Sequence, residues 1–231
     1  MYDDRCIAVY DSGAGGLNIT KRIRERFKSE DIVYFSDRKN LPYGDKSDGE
    51  LRGIIENNIR KINGFCPKLI IVACNTVSLA VREYGISSPV RLLGVYPKVK
   101  NNKKTLLICT ERTAKSDCVK ELLRENKSLT VSPQSGFAEE IEKYLAYGVL
   151  PQIKERFKGF HDEFDFVSLG CTHYSHMKRE IGKIFNRAEI IDGADDTFLS
   201  AERFLKTNPS REKEGKIYFT DKNYERIWAA L

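Results

Sequence analysis

The chain has 231 residues, 41% hydrophobic and 31% charged, with 39 Lys and Arg against 33 Asp and Glu for a formal net charge of +6. This mixture excludes a disordered tail, a collagen-like fibre and a low-complexity linker, and no run approaches the ~18 apolar residues of a membrane span. The charge is spread over mixed-sign faces such as Lys21-Arg22-Ile23-Arg24-Glu25-Arg26, the pattern of a solvated helix rather than a nucleic-acid surface.

In chain order, Ile7 to Tyr10 is a strand-sized apolar run, Asp11 to Gly16 a glycine-rich turn and Leu17 to Phe27 a helix. Asp31 to Phe35 is a second strand. Leu51 to Gly64 has helical spacing, with Leu51, Ile54, Ile55, Ile59 and Ile62 near one face. Leu69 to Ala73 is a strand, a helix follows from about Ser78 to Tyr84, and Val90 to Val95 is a further strand. The pattern restarts after Pro97: strand Thr105 to Cys109, hydroxyl-rich turn Thr110 to Ser116, helix Asp117 to Glu125, and a longer helix beginning with Ala138 to Tyr147. Phe164 to Leu169 is a strand, Lys178 to Phe185 a helix and Glu189 to Ile191 a strand. Strands alternating with helices imply βαβ units and mainly parallel sheets.

Six cysteines occur: Cys6, Cys66, Cys74, Cys109, Cys118 and Cys171. None has C-x-x-C spacing, and Met1 to Arg5 contains no basic segment leading into an apolar one, so free thiols in a cytoplasmic protein are expected. Two of them occupy matching places. Cys74 follows a strand 63 residues after Asp11, and Cys171 follows a strand 61 residues after Thr110. The carboxyl ends of strands are where open α/β sheets bind ligands, so two facing halves would put a thiol on each side of one small molecule. That arrangement suits inversion of a carbon centre, with one thiolate removing a proton while the opposite thiol donates one. A cysteine titrates near ~8.5 and is readily tuned; Asp11 and His173 are the neighbours placed to do so.

Asp11-Ser12-Gly13-Ala14-Gly15-Gly16 can offer backbone N–H groups to a carboxylate or phosphate, although Asn18 breaks the dinucleotide fingerprint. Gly44 to Glu50 fails the phosphate-loop pattern because Glu50 replaces the lysine. Cys171, His173 and His176 are an alternative zinc-ligand set. His161 lies in a charged stretch and reads as a surface residue. Leu41-Pro42-Tyr43-Gly44 is a turn signature in which Tyr43 has either a packing or a binding role.

Together, Asp11-Ser12-Gly13-Ala14-Gly15-Gly16-Leu17, Pro42-Tyr43-Gly44-Asp45-Lys46-Ser47, Val72-Ala73-Cys74-Asn75-Thr76, Thr110-Glu111-Arg112-Thr113 and Leu169-Gly170-Cys171-Thr172-His173-Tyr174 resemble the cofactor-independent aspartate/glutamate racemase superfamily, and within it the glutamate racemases. The resemblance runs in family order over most of the chain, and the tail Ile217 to Asp221 resembles the family's last strand. It implies two flavodoxin-like α/β subdomains, 1–97 with about 208–231 and about 98–207, with the active site in the cleft between them. It also implies Cys74 and Cys171 as bases for the D and L enantiomers, assisted by Asp11 and His173. Substrate contacts would come from Asp11, Ser12, Pro42, Tyr43, Gly44, Asn75, Thr76, Thr110, Thr113, Thr172 and His173. Glu140 matches a family glutamate near the second thiol, although Ser135-Gly136-Phe137-Ala138 departs from the family's apolar stretch. No cofactor or metal, a small amino-acid substrate, a homodimer and supply of D-glutamate to peptidoglycan complete the implication. Aspartate or another amino acid as substrate, or a paralogue that binds a small ligand without turnover, are the alternatives.

Overall fold

The computed structural model describes residues 2–160 and 164–231, so His161 lies outside the described residues. The first half contains β1 (Ile7–Asp11), α1 (Leu17–Arg26), β2 (Ile32–Ser36), α2 (Asp48–Asn63), β3 (Leu69–Val72), α3 (Asn75–Glu83) and β4 (Leu92–Gly94). Two 3-10 turns, Arg38–Asn40 and Tyr43–Asp45, precede α2. The second half contains β5 (Thr105–Cys109), α4 (Glu111–Lys115), α5 (Asp117–Glu125), β6 (Leu129–Pro133), α6 (Phe137–Tyr147), α7 (Ile153–Arg156), β7 (Phe166–Gly170), a 3-10 segment (Thr172–Met177), α8 (Lys178–Ile184) and β8 (Glu189–Asp192). The chain then returns as α9 (Ala194–Thr207), β9 (Ile217–Phe219) and α10 (Lys222–Ala230).

The strands form two separate sheets, ordered β4-β3-β1-β2-β9 and β6-β5-β7-β8, with every pairing parallel. In each, the first strand of the half lies between its second and third, the doubly wound order that leaves a crevice at the strands' carboxyl ends. The α/β class with two similar flavodoxin-like sheets is therefore as expected. The inner strands β1, β3 and β5 are buried along their whole length because both faces of each sheet are covered. Ile7 and Val9 join Ile19, Ile23 and Leu205 on one face of the first sheet, while Ala8 and Tyr10 join Ile55, Ile59 and Ile62 on the other. In the second sheet Leu106 and Ile108 pack with Phe137, Ile141 and Tyr174, and Leu107 and Cys109 pack with Val119.

Some elements differ from expectation for local reasons. The stretch 110–116 forms α4, because the Thr110 hydroxyl accepts the Thr113 N–H at 3.2 Å and caps it. Helix α6 stops at Gly148, whose φ of +74° suits glycine. Helix α2 starts earlier than its apolar pattern, at a capping box in which Ser47 and Glu50 bond reciprocally. Strand β6 is a new edge strand. Helix α9, within the stretch expected to belong to the second half, buries Ala201 and Leu205 in the first half's core, so the return begins at Ala194. The two crossings between halves touch: a Cβ on Gly193 would lie 1.8 Å from the Tyr96 carbonyl oxygen.

Candidate active site

Cys74 and Cys171 each follow the third strand of their sheet, β3 and β7, and line one cavity between the halves. The repeated strand order makes these positions equivalent. Both thiols are buried. Ser12, Pro42, Tyr43, Gly44, Thr76, Thr110 and His173 line the same cavity. Asp11 and Thr172 stand directly behind it, joined by Thr172 Oγ1 donating to Asp11 Oδ2 at 3.1 Å.

The Cys74 sulfur lies 3.6 Å from Ser12 Oγ. Burial, then the charge of Asp11 and the proximity of Cys171, push its pKa up to about 12, so this thiol rests protonated. Asp11 is fully buried and its Oδ1 accepts the Gly13 N–H at 2.8 Å. Burial raises its pKa to about 6, against the opposing pull of His173 and of its two hydrogen bonds. On the other side, Cys171 Sγ lies 3.9 Å from His173 Nδ1. Burial works against a charge on His173, but hydrogen bonds to Cys171 and Glu142 hold its pKa well above the ordinary value. The second contact is short: His173 Nε2 is 2.7 Å from Glu142 Oε1.

Glu142 corrects the expectation of Glu140. Glu140 is not among the residues that line the cavity and pairs with Arg156. Glu142 lies four residues after Ala138, which lines the cavity, and positions four apart share a helix face. That spacing was the available signal, obscured by the run Glu139-Glu140-Ile141-Glu142. We expect Glu142→Gln to lower turnover by at least about tenfold, because an oriented imidazolium is lost, and Glu140→Gln to stay near wild type. Steady-state rates of the two variants check this ordering.

The glycine-rich turn binds a carboxylate, but it is the protein's own. Ala14 N–H donates to Glu142 Oε1 at 2.6 Å. A Cβ on Gly13 would lie 2.0 Å from that oxygen, and one on Gly15 would lie 2.3 Å from Thr172 Oγ1. Small residues here let the halves meet. His176 makes a further crossing contact, its Nε2 3.0 Å from the Ala14 carbonyl. His173 and His176 turn Nε2 to Glu142 and to the Ala14 carbonyl, so a metal in the zinc alternative would fall to their Nδ1 atoms. No cluster of three potential metal ligands occurs among the described residues.

The remaining expected binding residues divide. Thr110 Oγ1 lies 3.3 Å from Thr76 Oγ1 across the halves and 3.0 Å from Thr113 Oγ1. Thr113 thus supports Thr110 from behind rather than lining the cavity. Asn75, at the start of α3, donates to the Val95 carbonyl at 3.3 Å. Its Oδ1 is buried without a partner among the described residues. Tyr43 lines the cavity and has its hydroxyl fixed behind it by Asp37 at 2.6 Å, Tyr10 at 3.0 Å and Asn58 at 3.1 Å. Leu41, Glu111, Gln134, Ser135, Gly136, Ala138 and Glu139 complete the lining and were not anticipated. Those on the β6–α6 connection were hidden because β6 itself was not foreseen.

No protein-family model matches the chain. The glutamate racemase of Aquifex aeolicus is 32% identical over 234 residues, covering 96% of this chain and 91% of the relative. That of Aquifex pyrophilus is 33% identical, covering 93% and 88%. The crystal structure of glutamate racemase from Francisella tularensis in complex with D-glutamate superposes with a TM-score of 0.78 at 26% identity, covering 98% of this chain and 93% of that one.

Proposed function

Because the chain belongs to the glutamate racemase family, a family of isomerases, we propose that it interconverts L- and D-glutamate by proton transfer between two cysteines. One observation carries the reading: two equivalent thiols face one cavity, each with its own proton-handling partner. In the L-to-D direction the Cys171 thiolate takes the α-proton and the Cys74 thiol returns one to the opposite face. A thiol whose pKa is pushed up to about 12 enters this step as a donor. His173, held by Glu142, exchanges a proton with Cys171. Asp11 and Ser12 serve the Cys74 side.

Binding falls to His173 and to neutral donors, since no lysine or arginine lines the cavity among the described residues. Ser12, the Pro42-Tyr43-Gly44 turn, Asn75, Thr76, Thr110 and Thr172 are assigned to the two carboxylates and the ammonium, with Thr113 supporting Thr110. Donors fixed before the reaction favour the carbanion-like transition state most when water is excluded. The division into two subdomains, with the return from Ala194 onward joining the first, the cytoplasmic location, the homodimer and the supply of D-glutamate to peptidoglycan belong to the same proposal. The decisive experiment is incubation with L-glutamate, and separately L-aspartate, in D2O without added cofactor, following Cα deuteration and chirality. Labelled, racemised glutamate is the expected result. Labelling of aspartate alone changes the substrate, and exchange with neither amino acid overturns the reading.

The raised pKa of Asp11 makes a pH prediction. Its folded value of about 6 exceeds the ordinary carboxyl value, so the folded state holds the proton more tightly. The stability contributed by that proton is full below about pH 4 and is lost as pH rises through about 6. Activity needs the carboxylate, so kcat/KM should rise through the same region. Asp11→Asn is expected to remove that limb and lower activity, while leaving stability at neutral pH unchanged or higher. A pH–rate profile with unfolding curves at pH 5 and 7.5 checks both signs.

A further inference from the structure

Arg112, on α4 of the second half, reaches out of its own half to three acceptors of the first. Its guanidinium donates to the Lys46 carbonyl at 3.1 Å, to the Asp48 carboxylate and to the Tyr84 hydroxyl. Tyr84 in turn donates to Asp48 Oδ1 at 2.8 Å. These acceptors lie at the end of the Tyr43–Asp45 turn, in the first turn of α2 and at the carboxyl end of α3. A planar fork of five donors suits three divergent acceptors, as an ammonium does not. Gly44 and Glu111 line both the thiol cavity and the neighbouring recess that Lys46, Asp48, Tyr84 and Arg112 line. The contact is therefore part of the wall beside the thiols.

We propose that Arg112 is a positioning residue that latches the two halves at the cleft and pins the Tyr43–Asp45 turn in its glutamate-binding position; the inference rests on the racemase reading above. Within its own half the turn is held through the Tyr43 hydroxyl, on Asp37, Tyr10 and Asn58. Those bonds persist however far the halves separate. The Arg112 bonds span the cleft and must break when it widens about the touching crossings at Tyr96 and Gly193. The latch is built to open. The Asp48 side chain is 78% exposed and rehydrates freely, whereas that of Arg112 is only 18% exposed. Closure on the substrate remakes the bond to the Lys46 carbonyl that caps the turn, so the latch couples glutamate binding to assembly of the site.

The test compares wild type with Arg112→Met, Arg112→Lys and Tyr84→Phe. A latch that favours the closed state affects apparent affinity more than turnover at saturation. KM for glutamate is expected to rise about tenfold in Arg112→Met, with kcat changed less than about threefold and smaller KM effects in the other two variants. Amide hydrogen exchange, which needs no turnover, should quicken at residues 43–46 in Arg112→Met and stay unchanged along 105–109. Unchanged KM and unchanged exchange at 43–46 would overturn the latch, and so would a loss confined to kcat. If the wild-type protein exchanged no Cα hydrogen, the racemase reading would fall while the amide-exchange arm still decided the latch.

Discussion

Serine at position 74 or 171 is expected to slow racemisation in both directions by about 10²–10⁴-fold, the range general acid–base groups contribute. The substitution is nearly isosteric and the fold should tolerate it. Cys74 occupies the N-cap of α3, a position where serine is favoured. What is lost is an anion accessible near neutral pH, since a serine hydroxyl does not supply one. The two variants should also be asymmetric. With Cys74 replaced, Cys171 can still remove the α-proton of L-glutamate and return a solvent-derived one to the same face, so deuterium enters L-glutamate without inversion. With Cys171 replaced, D-glutamate should show the same behaviour. Cys118→Ser, outside the cavity and only partly buried, is the matched control and should retain full activity. Racemisation near the wild-type rate in either active-site variant would sink the two-thiol mechanism.

The sequence displayed the two sheets because their strands are short apolar runs buried on both faces, with turns at the right intervals. It displayed the thiols because both follow the third strand of a repeated pattern, a relation that survives without letter-for-letter similarity. It hid β6, where Leu129-Thr130-Val131-Ser132-Pro133 is an edge strand with exposed polar positions. It also hid α9, whose apolar residues face the first half's core rather than the sheet that precedes it in the chain. Glu142 was misplaced by two residues because three glutamates share one helix and only three-dimensional direction separates them. The role of Gly13 and Gly15 was legible as a need for close backbone approach. That the approaching group is a side chain of the other half follows only from the packing of the halves. Contacts made across a cleft leave no periodicity in the sequence, and for that reason neither Arg112 nor Glu142 announced itself.

Removing Lys68 is expected to destabilise the fold by about 3–5 kcal/mol, the usual penalty for leaving one member of a buried ion pair unpaired. Its ammonium lies 2.7 Å from Glu30 Oε2, and both side chains are essentially inaccessible to water. It also donates to the carbonyls of Asp3 at 2.7 Å and Asn208 at 2.9 Å. Glu30 accepts the Ser210 N–H at 3.0 Å and its hydroxyl at 2.9 Å. One buried pair therefore ties together the start of the chain, the residues entering β2 and β3, and the return segment that leads to β9. In Lys68→Met the Glu30 charge remains without its partner. In Lys68→Met with Glu30→Gln the charge is gone while an amide oxygen can still accept from Ser210, so at least half of the lost stability should return in urea unfolding. A double variant as unstable as the single would assign the loss to the Asp3 and Asn208 carbonyls instead of the uncompensated charge. Because this clasp lies at the amino ends of the strands and the thiols at their carboxyl ends, turnover per folded molecule should be unchanged in both variants. A fall in turnover that followed the fall in stability would mean that the first sheet transmits strain along its length to Cys74.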